Sequence, residues 1–572
     1  MNAEEIKPAR RSSPPAGWLL EAPLMSLTVG LGAVQAWNHR FAFSSEDIVS
    51  YLDIADAYLR AEWSSTINGM WSPLYSWLLA LAQAALNWPP AWDACRVKLV
   101  NFIAFLAALL CFRFFLYQLL LFRMQRARSS TTTDVEVLPE WLLTIGGYVL
   151  LLWSTLRWIG LYCDTPDMST AALVYLACGL LLRLQARGES LMSYAALGLI
   201  LGLGYLSKAA LFPLAFVFLA AALRMHGGFR RSAPRVLLAL FVFALTAGPY
   251  VTALSLAKKR FTYGDAGKLS YVYWVDAMGG RLGPDHHWQG GDPEYGKPIH
   301  PTRQLHLDPA LFEFATPIGG TYPPWTDVSY WFEGIRVRFS LIKAWPVIQR
   351  NLAFYCKSFL ACLIAGFLLL AFAGGRPGSS AMALGEKWRV LLPAAAGIAI
   401  YLTPTDFAGN DIPLQPSMRY IAPFVVVLFA TAFAAVRVSS SRFARRLVAA
   451  LACIELLLAG LKLGPQITLE IKRFARQKVE NLHWQTAQLL SRRGISPGDR
   501  VAIVGAECDH EYWARLARVK IIAHIPDIAA FEAVDSATRA SVFRLVESTG
   551  ASALVWRQVD GSYLVHLFRA TE

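Results

Sequence analysis

Apolar runs dominate the chain and alternate with short polar segments. They lie near 18–37, 74–88, 97–122, 139–156, 169–185, 191–206, 209–224, 236–256, 352–373, 388–404, 418–436 and 446–463. Many approach the roughly 20 residues a helix needs to cross a hydrocarbon core. A barrel would instead show alternating segments of about 10 residues. The pattern therefore predicts an all-α polytopic membrane protein. The run at 74–88 is short, begins at Pro73 and ends at Pro89–Pro90. That suits a re-entrant or juxtamembrane helix, and setting it aside leaves eleven predicted spans. From about residue 480 the pattern turns soluble. GDRVAIVGA, VKIIAHI, ASALVW and GSYLVHLF read as strands, and EYWARLARV and SATRASVFRLVEST as helices. A small α/β domain is expected there. VGAECD lacks the GxGxxG pattern of a dinucleotide site, and no internal repeat is visible.

Charge assigns sides to these spans. The sequence has 54 Lys+Arg against 40 Asp+Glu, a net charge of +14. Its basic residues gather in short loops: Lys7, Arg10 and Arg11; Arg123, Arg126 and Arg128; Arg183 and Arg187; Arg224, Arg230, Arg231 and Arg235; Arg437, Arg442, Arg445 and Arg446. All fall on one side if eleven runs span, which is the positive-inside pattern and not a nucleic-acid footprint. The expected organisation is a cytoplasmic arm at 1–17, a transmembrane domain at 18–465 with outer loops 38–96 and 257–351, and an outer domain at 480–572. No small-residue cleavage site follows the first run, so it reads as an uncleaved span. The eight cysteines show no metal-binding spacing. Cys95 and Cys163 both fall near the outer face, so a disulfide between them is open.

The candidate chemistry collects on the outer side. Loop 38–75 is rich in acids and aromatics, with Glu46, Asp47, Asp53, Asp56 and Glu62. The next outer loop carries Asp164 and Asp167. Arg96, Lys208, Arg419 and Tyr420 stand at the ends of spans. Carboxylates and cations at one membrane level suit a transferase with a lipid-phosphate donor. One carboxylate takes a proton, and the cations receive the leaving phosphate. Other roles fit the same residues. Asp53 and Asp56 suit the solvated face of an amphipathic helix, and Asp164 suits a helix cap before Pro166. Lys208 and Arg96 suit snorkelling to the interface. His286 and His287 suit loop hydrogen bonding as well as metal ligation. Arg113 and Glu455 fall inside spans with no functional account.

An ordered set of motifs resembles the GT-C superfamily of membrane glycosyltransferases, in the branch of protein O-mannosyltransferases and aminoarabinose transferases. Glu46–Asp47 with Tyr51 stands in the first outer loop, followed by the helix entered through SPLY. Arg96 opens the next span, and Pro166–Met168 opens a later one. GLGYLSK (Gly202–Lys208) and RYIAP (Arg419–Pro423) follow. The likeness covers roughly residues 20–435. It implies inverting transfer of a sugar from a polyprenyl-phosphate donor to a lipid, glycan or protein acceptor, on the outer face of a bacterial inner membrane. Asp47 takes the position of the catalytic base, with Asp53 and Glu46 as alternatives because the usual Asp-Glu order is reversed here. Asp167, Asp164 and Tyr51 would position substrate. Arg96, Lys208, Arg419 and Tyr420 would hold the donor phosphate. No cofactor is required by the pattern; a divalent metal stays open without a motif to support it. A transporter or flippase of lipid-linked sugars, a ligase with a pyrophosphate donor and a non-catalytic scaffold are the rival readings.

Overall fold

The computed structural model describes residues 18–43, 47–129, 135–187, 190–223, 229–276, 287–291, 293–314, 319–357, 361–403, 417–476, 481–505, 512–558 and 563–568. Each of the eleven apolar runs contains a helix: α1 (Trp18–Asn38), α4 (Asp93–Ser129), α5 (Glu140–Leu152, continued by a π-helical turn to Ile159), α6 (Asp167–Arg187), α7 (Leu191–Ser207), α8 (Leu211–Ala222), α9 (Phe229–Ala257), α10 (Ala361–Ala373), α11 (Trp388–Ile400), α12 (Ser417–Phe433) and α13 (Arg442–Arg476). Among the described residues, five helical stretches are long and apolar enough to cross a membrane, and five further apolar helices have 10–17 residues. The proline-bounded run forms only the short α3 (Pro73–Ala85), which follows α2 (Asp47–Leu59). Ser76 of α3 donates to the Tyr51 carbonyl of α2 at 2.9 Å, so the two helices pack as a pair.

Leucine, alanine and aromatic side chains fill the bundle. Phe112 of α4 meets Tyr148 of α5 edge-on at 5.8 Å and Tyr175 of α6 at 5.6 Å. Ile421, Ala422, Val425 and Val426 of α12 are fully buried, which places that helix inside the bundle. Helices α7 and α9 approach closely where Gly198 and Gly202 face α9. A Cβ on Gly198 would stand 2.1 Å from the Ala239 carbonyl oxygen. Small residues four apart let membrane helices touch backbone to backbone. Gly198→Leu is therefore expected to destabilise the detergent-solubilised protein by about 1–3 kcal/mol, the usual cost of overpacking. A thermal melt followed by gel filtration checks it; an unchanged midpoint would contradict this contact.

Contacts gather loops at two ends of the bundle. At one end β1 (Val135–Val137) pairs antiparallel with β4 (Arg437–Ser439). Gly375 bridges to Val438, Arg445 reaches Glu136 at 3.1 Å, and Gln185 donates to the Glu386 carbonyl. At the other end Gln35 bonds the backbone of Leu156 and Leu161, and Asn38 donates to Glu470 at 2.7 Å. Within α4, the partly exposed Arg113 is paired with Glu21 of α1 at 2.7 Å, which accounts structurally for that charge.

The C-terminal strands and helices form where the alternation places them. These are β5 (Arg500–Val504), α14 (Tyr512–Leu516), β6 (Lys520–Ile525), α15 (Ser536–Ser548), β7 (Ala553–Arg557) and β8 (Tyr563–Leu567). The sheet is larger than that segment alone. Strands β2 (Arg303–Leu307) and β3 (Ala310–Glu313), from the long outer loop, complete a six-stranded sheet of order β2-β3-β6-β5-β7-β8. Strands β6, β5 and β7 run parallel, and β3 joins β6 antiparallel with Phe312 opposite His524. The long outer loop 257–351 is thus tied into the sheet. His287 lies within this packing: it hydrogen-bonds His524 at 3.1 Å and stacks on Phe312. His286 lies outside the described residues.

Candidate active site

Helix ends position the charges. Asp167 is the first residue of α6, Lys208 directly follows α7, and Arg419 lies in the first turn of α12. All three meet. Lys208 Nζ pairs with Asp167 Oδ1, Arg419 Nε lies 3.3 Å from Asp167 Oδ2, and Thr165 donates to the same oxygen at 2.7 Å. Arg419 also donates to Cys163 Sγ at 3.0 Å and to the Tyr420 hydroxyl at 2.9 Å. Lys208 Nζ sits 3.8 Å from the Tyr420 ring centroid, and that ring stacks on Tyr401 at 5.2 Å. Exposure separates the partners. The Asp167 side chain is 2% exposed, but those of Lys208 and Arg419 are 19% and 12% exposed. The two cations thus present an accessible face, with the carboxylate behind them.

Asp47 is the first residue of α2 and is half-buried. Its charge acts on Tyr51, Arg419 and Tyr420, which places it in the same electrostatic neighbourhood. As the first residue of α2 it lies at the positive end of the helix macrodipole. Tyr51, one turn along, packs against Trp71 and Tyr75. Burial, followed by the charges of Asp47 and Asp167, pushes its phenol well above the ordinary value, so it stays neutral. Glu46 lies outside the described residues.

Asp164 belongs to an adjoining buried group. Lys98 Nζ lies 2.5 Å from Asp164 Oδ1, and Asn101 donates to that oxygen at 3.1 Å. Tyr75 in turn donates to Asn101 at 2.7 Å. Lys98 is a residue the sequence reading missed. It lies two places after Arg96 at the same span entrance, and nothing in CRVKLV says which cation faces inward.

Asp53 and Arg96 go elsewhere. Asp53, Asp56 and Asp93 converge on Arg515 of α14, which lies 2.8, 2.9 and 3.2 Å from them. Arg96 pairs with Asp93 at 2.6 Å, and Tyr512 donates to Asp93 at 2.7 Å. Asp53 also accepts from the Thr321 backbone at 2.6 Å and from its hydroxyl at 3.0 Å. Burial lifts the Asp53 carboxyl above its ordinary value despite Arg515 and Thr321. Burial would do the same to Asp56, but Arg515 and Arg518 outweigh it and hold that group below its ordinary value. The face bearing Asp53 and Asp56 is therefore a buried ionic seam and not a solvated surface. Arg515 had no sequence signal, since EYWARLARV reads as an ordinary amphipathic helix.

Cys95 and Cys163 are both free, so the disulfide left open by the sequence is absent. Cys95 donates weakly to the Arg40 carbonyl at 3.4 Å. Among the described residues no group of three or more His, Cys, Asp or Glu side chains is arranged to hold a metal ion.

No protein-family profile and no curated protein matches the chain. Solved structures similar to it include ArnT from Cupriavidus metallidurans in the apo state, with 12% identity over 95% of this chain and 93% of that one, at a TM-score of 0.40. The same protein bound to undecaprenyl phosphate gives 13% identity, 95% and 94% coverage and a TM-score of 0.40. The apo oligosaccharyltransferase of Archaeoglobus fulgidus gives 13% identity over 94% of this chain and 69% of that one, at a TM-score of 0.49.

Proposed function

We propose that this protein is an inverting glycosyltransferase of the membrane. It moves a sugar from a polyprenyl-phosphate donor to an acceptor hydroxyl at the outer, periplasmic face of a bacterial inner membrane. One observation carries the reading: Lys208 and Arg419 present partly exposed cationic groups around Asp167, with Asp47 in the same electrostatic neighbourhood. Asp47 accepts the proton of the acceptor hydroxyl as its oxygen attacks the anomeric carbon. The bond from that carbon to the phosphate oxygen breaks, and the polyprenyl phosphate leaves with the electron pair. Lys208 and Arg419 receive its negative charge, Arg419 as a planar fork and Lys208 as a point charge. Tyr420 lies beneath Lys208 and donates or accepts at the same edge. Asp167 holds both cations before the donor arrives and keeps their charges from being buried unpaired.

The acidic seam at Arg515 divides the three acids of α2 by role. Asp47 is assigned as the base, and Asp53, already bonded to Thr321 and Arg515, as a structural acid. The proposed organisation follows the charge pattern, with 1–17 in the cytoplasm and 480–572 outside together with the strands contributed by the outer loop. A cysteine placed at Arg126 should react with an impermeant maleimide only after the membrane is opened. Labelling in intact cells would reverse the topology and remove the periplasmic assignment. The activity itself is tested by supplying labelled polyprenyl-phosphate sugars with membranes as the acceptor source.

A further inference from the structure

We infer that Arg515, although it belongs to the C-terminal domain, is a positioning residue for the catalytic helix. The inference rests on the role proposed for Asp47. Helix α2 carries Asp47 at its first position and Asp53 and Asp56 on its later turns. The later acids are gripped by one guanidinium, which also bonds Asp93 at the start of α4. The Arg515 side chain is only 2% exposed. Gln83 of α3, with its amide turned to suit both neighbours, donates to Asp56 at 3.0 Å and accepts from Arg515 at 3.1 Å. Three successive segments, α2, α3 and the entrance of α4, thus meet at one cation supplied by the distant α14.

The geometry has a consequence for Asp47. The ion pairs that grip α2 lie on its later turns, in the seam, and Asp47 stands at the first position of the same helix. A guanidinium has a fixed planar fork, so it sets the three carboxylates in one arrangement. It thereby sets the direction of α2 relative to α4, and so where Asp47 stands with respect to Lys208 and Arg419. Arg515 does not touch the reacting atoms. Its effect is on the distance over which the proton is taken, and misplacement by about 1 Å is enough to cost about 10²-fold in rate.

Removing Arg515 alone leaves three buried acids short of one cation, so the test variant removes a charge of each sign. Arg515→Met with Asp56→Asn keeps Asp53 on Thr321 and Asp93 on Arg96 and Tyr512. In the purified full-length variant, hydrogen exchange at the α2 amides should rise while exchange in α6 stays as in wild type. The kcat for sugar transfer should fall about 10²-fold, with the dissociation constant for polyprenyl phosphate unchanged. Arg515→Lys should recover part of kcat. Arg518→Ala, an exposed partner of Asp56, should leave both readouts at wild-type values. Unchanged α2 exchange overturns the inference, and so does a loss of polyprenyl-phosphate binding as large as the loss of kcat. Wild type without transfer is a different failure: it overturns the proposed function, while the clamp on α2 is still decided by exchange.

Discussion

Asp47→Asn is expected to lower the rate of sugar transfer by about 10²–10⁴-fold, the range a general base supplies. The amide keeps the size of the side chain and removes its ability to take a proton. Binding of polyprenyl phosphate should hold, because Lys208, Arg419 and Asp167 keep their contacts with one another. The seam at Arg515 is built from Asp53, Asp56 and Asp93, and Tyr51 packs on Trp71 and Tyr75, so the hold on α2 should survive the substitution. Single-turnover rates with saturating donor, set beside a melting curve, separate these terms. A variant that turns over like wild type would take Asp47 out of the mechanism.

The second large effect belongs to Arg419. Arg419→Ala removes the group that lies against Asp167, Cys163 and the Tyr420 hydroxyl. In the proposed reaction it also removes one of two charges that receive the leaving phosphate. Losing a preorganised donor at a developing anion typically costs about 10²–10³-fold in kcat. Arg419→Lys should recover only part of this, since an ammonium cannot reproduce the planar fork. Lys208 remains in the variant, so Asp167 is not left without a cation. Initial rates at varied donor and acceptor concentrations locate the defect. A change confined to acceptor affinity would contradict a phosphate role.

Much of the architecture could be read from the chain because single-residue properties decide it. Lipid requires backbone groups to be satisfied within each segment, so long apolar runs become helices. The prolines at 73, 89 and 90 mark off the short helix α3. Clustered arginines sort the loops into two groups along the sequence, and Val135–Val137 pairs with Arg437–Ser439 at one end of the bundle. The meeting of Asp167, Lys208 and Arg419 was legible for the same reason: all three stand at span ends on one predicted side.

Pairings across long sequence distances were less legible. Strands Arg303–Leu307 and Ala310–Glu313 are short, and the first opens with the exposed Arg303 and Gln304, so their alternation is weak. What makes them strands is the open edge of β6, some two hundred positions later. The acidic face of α2 is visible in the sequence as Asp53 and Asp56, three residues apart. Its burial depends on Arg515, which is 459 positions from Asp56. Its place at a span entrance suggests a donor-binding role for Arg96. The same place put it beside Asp93, which draws it into the seam, while Lys98 one half-turn on reaches Asp164. Spacing fixes which residues share a helix face, but the partner of that face decides what the face does.

The most direct test of the account follows the donor bond itself. Purified wild-type protein is given polyprenyl phosphate carrying a radiolabelled sugar, with membranes as the acceptor source, beside the Asp47→Asn variant. The account predicts that label leaves the lipid and appears on acceptor with wild type only. Label that stays on the lipid with every polyprenyl-phosphate sugar supplied would contradict the proposed reaction.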